Sequence, residues 1–111
     1  MPPKNLSCKK AHQILFIESN VEELLVIDVR SPRSYERGHI KDAINIDVEG
    51  DDYIEKFEEL DKQCSYLVYC RCGNDSDIAV RIMKRLGFTN IFHLYQGLDT
   101  WKERNFPLCE S

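Results

Sequence analysis

Short apolar runs alternate along the chain with segments whose apolar residues recur at helical spacing. In "LSCKKAHQILFIES", Ser7 stands as a cap and Ala11, Ile14 and Leu15 fall on one face, which predicts an amphipathic helix. "ELLVIDV" is a buried-strand pattern of Leu24, Leu25, Val26 and Ile27 that runs into Asp28 and is broken by "RSPRS". "AINI", residues 43–46, predicts a second short strand. "DDYIEKFEELD" has acids at its head and Tyr53, Ile54, Phe57 and Leu60 at helical spacing, so a second amphipathic helix is expected. "SYLVYC" predicts a third strand, "SDIAVRIMKRLGF" a helix stopped by Gly87, "NIFHL" a fourth strand and "LDTWKERN" a last short helix. Val80 and Met83 on the helix, and Phe92, Leu94 and Tyr95 at strand spacing, are assigned to the core. This order belongs to the α/β class, with a mainly parallel sheet covered by helices on both faces. No internal repeat, low-complexity segment or linker interrupts it.

The order also says where chemistry should collect. In open α/β sheets the reactive groups gather outside the carboxyl ends of the strands, and Cys70 is the last residue of the third predicted strand. That position presents the thiol rather than burying it. The residues after it, Arg71, Cys72, Gly73, Asn74 and Asp75, include two types that tolerate unusual backbone angles, and they lead into a helix expected to begin near Ser76. A loop of this kind can curl its amide N–H groups around the sulfur, and such amides together with a helix N-terminus favour a thiolate nucleophile. The alternative is a cysteine that serves as a small buried hydrophobe.

Composition narrows the partners. A length of 111 residues suits one compact domain, expected to span 1–111, and 42% hydrophobic with 31% charged residues is a globular composition. The net charge of -4 and pI near 5.3 argue against a nucleic-acid partner, which usually needs a basic stripe. No segment approaches the roughly 20 apolar residues that cross a bilayer, so no membrane partner is expected. The opening "MPPKNLSCKK" carries lysines with no apolar core of signal-peptide length behind them, and a cytoplasmic location is the expectation. Cysteines at 8, 64, 70, 72 and 109 are odd in number and irregular in spacing, which predicts free thiols. A zinc site built from Cys64, Cys70, Cys72 and a histidine fits no common ligand spacing, so no metal is expected.

"VIDVRSPRSYERGHIKDAINID" followed by "YLVYCRCGNDSDIAVRIMKRLGFTNIFHLYQGLDTW" resembles the single-domain rhodaneses over nearly the whole chain. Asp28 and Arg30 match the acid and base of that family's D-V-R motif. Glu36, Gly38, His39, Ile40 and Ala43 match its next segment, Cys70 its catalytic cysteine, Gly73 its loop glycine, and Gly97 with Trp101 its closing G-x-x-x-W. The resemblance implies a three-layer fold around a sheet of about five short strands. It also implies a sulfurtransferase that takes a sulfane sulfur from a donor such as thiosulfate onto Cys70 as a persulfide. That sulfur then passes to a thiol, a protein acceptor or cyanide. No cofactor is implied. Loop amides would stabilise the incoming anion and the persulfide as an oxyanion hole stabilises developing charge. Because rhodanese folds also occur as inactive modules, a non-catalytic binding or sulfide/redox-sensing role is the alternative.

Two loop positions depart from the usual C-R-S-G-N-R-S reading. Asp75 stands where a second arginine is common, and a carboxylate there repels a donor anion, so weak activity with thiosulfate is expected. Its other reading is helix capping, together with Asn74, Ser76 and Asp77. Arg71 is the cation within the loop, with Arg30 or Arg81 able to approach it in space. Cys72 stands where serine is common. It is either a spacer or a thiol that attacks the persulfide, expels sulfide and closes a Cys70–Cys72 bond. Asp42 and Gln96, where glycine is frequent, reshape their turns. His39 is expected to orient a turn, and His12 and His93 to be structural or exposed. Cysteine phosphatases and arsenate reductases have a loop one residue longer with an arginine six after the cysteine; that residue here is Ser76.

Overall fold

The apolar stretches 24–27 and 66–69 form adjacent interior strands of the sheet, where both faces need apolar cover. The computed structural model describes residues 4–17 and 24–110. Five strands, β1 (Lys4–Leu6), β2 (Leu24–Asp28), β3 (Ile44–Asn45), β4 (Ser65–Tyr69) and β5 (Asn90–Leu94), form one sheet in the order β1-β5-β4-β2-β3. Every strand pairing is parallel, and one isolated antiparallel bridge joins His39 to Cys109. Along β4 the side chains alternate: Tyr66, Val68 and then Cys70 enter one buried cluster, while Leu67 and Tyr69 enter the other. The helices divide accordingly. α3 (Tyr53–Glu58) and α4 (Asn74–Arg85) cover the Cys70 face through Phe57, Ala79, Val80 and Met83. α1 (Cys8–His12), α2 (Pro32–Arg37) and α5 (Gly97–Glu103) cover the other through Cys8, Ala11, Tyr35, Leu98 and Trp101. The result is the three-layer α/β fold.

Local signals operate as their chemistry dictates. Ser7 Oγ accepts from the Lys10 amide at 3.1 Å and so caps α1. Ser31 caps α2 ahead of Pro32, which supplies a preset φ at the first helical position. Gly87 ends the α4 segment at φ +102, and its amide bonds the Lys84 carbonyl.

Several expectations need correction. The first predicted helix is regular only to His12 and widens into a π turn over Gln13–Ile17, where Ile14 and Leu15 are half-buried. Glu18 and Ser19 of that helix, and Glu23 at the head of the first predicted strand, lie outside the described residues. β1 was not among the strands read from the sequence: three residues, Lys-Asn-Leu, carry no alternation, and they become a strand by pairing with β5. Ile54 is 40% exposed and Tyr95 46% exposed, so neither belongs to the core. α3 is short and packs mainly through Phe57, while Tyr95 lies beyond the last paired residue of β5.

Candidate functional site

The order of strands makes a crevice between β2 and β4. The chain leaves β2 towards β3 on one side and β4 towards β5 on the other, so their carboxyl ends diverge there. A cleft of about 370 Å³ opens at this point, with Val29 and Arg30 from just past the end of β2 on one wall and Cys70, Arg71, Cys72, Asn74 and Asp75 on the other. Asp47 and Glu49 add further carboxylates to its lining.

At the floor, Cys70 is only 2% exposed, which corrects the expectation of a presented thiol. The loop wraps over the sulfur instead. The Gly73 amide donates to Sγ at 3.0 Å and the Ser76 amide at 3.3 Å, with Ser76 Oγ 3.2 Å away. N–H groups aimed at one sulfur stabilise negative charge on it. Gly73 makes the turn possible at φ +102, where a Cβ would collide with the Tyr95 carbonyl oxygen. Its own carbonyl accepts from the Asp77 amide at 3.1 Å. α4 therefore begins at Asn74, two residues earlier than expected, with Gly73 as the cap residue.

A second clamp comes from α5. The Leu98 amide donates to the Cys70 carbonyl at 2.9 Å and the Asp99 amide to the Arg71 carbonyl at 3.0 Å. Gly97 permits this approach at φ +76, since a Cβ there would overlap the Arg71 carbonyl oxygen and come within 2.8 Å of Cys72 Cα. Gly97→Ala is expected to cost about 1–3 kcal/mol through strain and loop displacement. Urea unfolding measures it, and a loss below about 0.5 kcal/mol would show that α5 does not clamp the loop.

On the opposite wall, Asp28 is fully buried beside Tyr69 and Arg30. Its carboxylate accepts from Arg30 Nη2 at 2.7 Å, from the Arg30 amide at 2.9 Å and from the Tyr69 hydroxyl at 2.6 Å. Arg30 Nη2 also donates to the Gly38 carbonyl at 2.6 Å. Burial works against the guanidinium charge, but Asp28 more than offsets it and holds Arg30 firmly protonated. Burial and the Asp28 charge together push the Tyr69 phenol far above its ordinary range, so it remains a donor.

Among the described residues, no group of three or more His, Cys, Asp or Glu is arranged to hold a metal ion. No helix among them is long and apolar enough to cross a membrane. The sequence model of the Rhodanese-like domain family matches residues 10–104. The chain belongs to the rhodanese-like domain family. Its sequence is 38% identical over 93 residues to "Adenylyltransferase and sulfurtransferase MOCS3" of Drosophila virilis, covering 76% of this chain and 21% of that protein. It is 31% identical over 86 residues to "Adenylyltransferase and sulfurtransferase uba4" of Ogataea parapolymorpha, covering 75% and 22%. The chain thus spans about a fifth of the length of these relatives. A rhodanese-related protein from Thermoplasma volcanium superposes with a TM-score of 0.82 at 28% identity, over 97% of this chain and 99% of that one. The rhodanese-like domain of an Anabaena protein superposes at 0.85 with 24% identity, over 100% of this chain and 81% of that one, a likeness of fold.

Within this rhodanese-like domain, Cys70, Arg71, Cys72, Asn74, Asp75 and Arg30 share the cleft, with Gly73 and Ser76 shaping its floor. His39 is not among the residues that line it. Its ring stacks on Tyr35 with centroids 3.8 Å apart, Nδ1 lies 2.9 Å from the Tyr35 carbonyl, and its backbone pairs with Cys109. It thereby sets the turn whose Gly38 carbonyl receives Arg30. Arg81 pairs with Asp77 on α4 rather than with the loop. Asp75 is exposed and faces the cleft, and its carboxylate has no hydrogen bond or ion pair among the described residues; the cap at this helix is Gly73, not Asp75. Asp42 sits at φ +63, and Gln96 Oε1 accepts from the Cys8 amide at 2.8 Å. None of the five cysteines is in a disulfide. Cys72 and Cys109 are exposed, whereas burial pushes the Cys8 thiol up to about 11 despite the opposing charge of Arg104. His12 lies in the opposite layer, stacked on Phe106 with centroids 4.1 Å apart.

His93, expected to be structural or exposed, is buried. It places Nε2 2.7 Å from Ser76 Oγ, directly behind the sulfur. Strand alternation sets it on the same face as Ile91 and Cys70, but only the pairing of β5 with β4 brings that face to the loop.

Proposed function

We propose that this domain is a sulfurtransferase that carries a sulfane sulfur as a persulfide on Cys70. The observation that carries the proposal is the convergence of the Gly73 amide, the Ser76 amide and the Ser76 hydroxyl on Cys70 Sγ at the floor of a cleft. The sulfurtransferase names of the relatives support it. With thiosulfate, the thiolate attacks the sulfane sulfur, the S–S bond breaks and sulfite leaves with the bonding pair. An acceptor thiolate or cyanide then takes the outer sulfur, and Cys70 departs as a thiolate. The loop amides would hold the charge on either sulfur species. A reducing compartment such as the cytoplasm would keep the five cysteines as thiols.

The charges in the cleft bear on the donor. Asp47, Glu49 and Asp75 line it, while Arg30 is bound to Asp28 and Arg71 lies 3.5 Å from Asp99. A small dianion gains little there, so thiosulfate is a weak donor and a persulfide on a thiol or protein is the preferred one. Mass spectrometry of the protein after incubation with thiosulfate, 3-mercaptopyruvate or a persulfide donor tests both points. One added sulfur on the Cys70 peptide is expected, most completely from the persulfide donor. No sulfur from any donor would instead favour the non-catalytic binding or sensing role, which the carboxylate-lined cleft also suits.

A further inference from the structure

His93 has a place in the structure that the sulfur chemistry above leaves unused. It is 7% exposed, and Ser76, the group it touches, is fully buried. From sulfur to hydroxyl is 3.2 Å and from hydroxyl to imidazole 2.7 Å, an unbroken polar chain enclosed by core residues on the α4 side of the sheet. A phenylalanine or leucine would fill a strand position in that layer without desolvating an imidazole. Burial holds the His93 pKa below its ordinary value, so the ring is neutral at neutral pH and one of its nitrogens is free to accept.

We propose that Ser76 and His93 form a proton relay that takes the thiol proton of Cys70, with Ser76 Oγ as the bridge and His93 Nε2 as the acceptor. The inference rests on the reading of Cys70 as the sulfur carrier. As the Cys70 S–H bond breaks, its proton passes to Ser76 Oγ and its electron pair stays on sulfur. As the Ser76 O–H bond breaks, that proton passes to Nε2. The products are a thiolate, an intact serine hydroxyl and an imidazolium; nothing is oxidised or reduced. Nε2–H now donates to Ser76 Oγ, and Ser76 O–H donates to sulfur beside the Gly73 and Ser76 amides. The relay thus removes the proton and supplies a third donor to the charge it creates.

Groups around the ring fit a transient imidazolium. Asp77 from α4, through its charge, and the Gly73 backbone both favour the protonated form of His93 against burial. Cys70, through Ser76, faces it from the end of β4. The register neighbours on the flanking strands are Asn5 on β1 and Val68 on β4, neither of them titratable. Ser76 touches the reacting sulfur, whereas His93 acts through Ser76 and is a positioning residue.

The test follows alkylation of the Cys70 peptide by iodoacetamide across about pH 6 to pH 10 in the parent, His93→Gln and Ser76→Ala, with folding checked by circular dichroism. His93→Gln keeps a polar contact to the hydroxyl but takes no proton; Ser76→Ala cuts the bridge and leaves the ring. Both variants are expected to react at least about tenfold slower than the parent near pH 6 and equally fast near pH 10, where hydroxide removes the proton. Profiles that superimpose, or a loss that is the same at every pH, would overturn the relay, because a packing role changes access at all pH values alike. If His93→Gln does not fold, Ser76→Ala decides on the same criterion. Alkylation needs no sulfur donor, so the two readings fail separately. A parent that loads sulfur while the profiles superimpose overturns the relay alone. A parent that never loads sulfur while the variants show the pH-dependent loss overturns the sulfur-carrier reading and upholds the relay.

Discussion

Asp75→Arg is expected to raise kcat/KM for thiosulfate by about tenfold to a hundredfold. A charge-assisted hydrogen bond contributes about 1.5–3 kcal/mol, and about 1.4 kcal/mol is a factor of ten in rate. Asp75 is exposed on the wall of the cleft that holds Cys70, where its carboxylate adds to those of Asp47 and Glu49. Of the cations near by, Arg30 on the opposite wall is bound to the buried Asp28, and Arg71 on the same wall lies 3.5 Å from Asp99. The substitution therefore removes a repulsive charge and adds an attractive one where the donor must approach the sulfur. Stability should move the other way. Asp75 lies in the first turn of α4, where an acid contributes about 0.3–1 kcal/mol against the helix dipole and an arginine is unfavourable. A fall in Tm of several degrees is expected alongside the gain in rate. Asp75→Asn divides the effect, since it relieves repulsion without supplying a donor cation. A folded Asp75→Arg protein with unchanged thiosulfate kinetics would show that the carboxylate does not meet the donor.

Asp28→Asn should destabilise the fold by about 3–5 kcal/mol, the usual cost of removing one partner from a buried ion pair. The Arg30 side chain is 11% exposed and would keep the Gly38 carbonyl as its remaining side-chain acceptor. An amide cannot substitute: whichever way it turns, an NH2 faces either the Tyr69 hydroxyl and Arg30 Nη2 or the Arg30 amide, all of them donors to the native carboxylate. Tyr69 also receives the Ile40 amide at 3.1 Å, so the disturbance would spread from β2 into the segment after α2. Urea unfolding at constant m-value gives the number. A change below about 1 kcal/mol would mean that Asp28 and Arg30 are dispensable to the wall of the cleft they form.

Much of this was legible in the residues, for reasons that can be named. β2 and β4 are continuous apolar runs because parallel strands buried on both faces have no solvent side to show. Gly73 and Gly97 could be singled out by their place in the motifs, and the structure supplies the cause: positive φ at both, with backbone where a Cβ would stand. β1 was illegible because three residues with a polar centre carry no period, and the edge of β5 makes them a strand. Asp75 looked like a helix cap because acids near a helix start often are; Gly73 takes that place by curling backwards over the sulfur.

By itself the sequence determined the α/β order, the two-faced apolar pattern that builds the three layers, and the position of Cys70 where a strand gives way to a loop and a helix. These follow from periodicity and backbone preference, which act between near neighbours. The tertiary structure decided which strand lies beside which, and everything that depends on it. Placing β2 against β4 put Arg30 and the Asp28 network opposite the cysteine, and placing β5 on the other side of β4 put His93 behind it. It also closed the loop over the sulfur, because the amides of Leu98 and Asp99 hold carbonyls 28 residues earlier in the chain. A histidine in a short strand has the same local pattern whether it fills the core or faces a thiol. The difference arises only from partners distant in sequence, which no local period encodes.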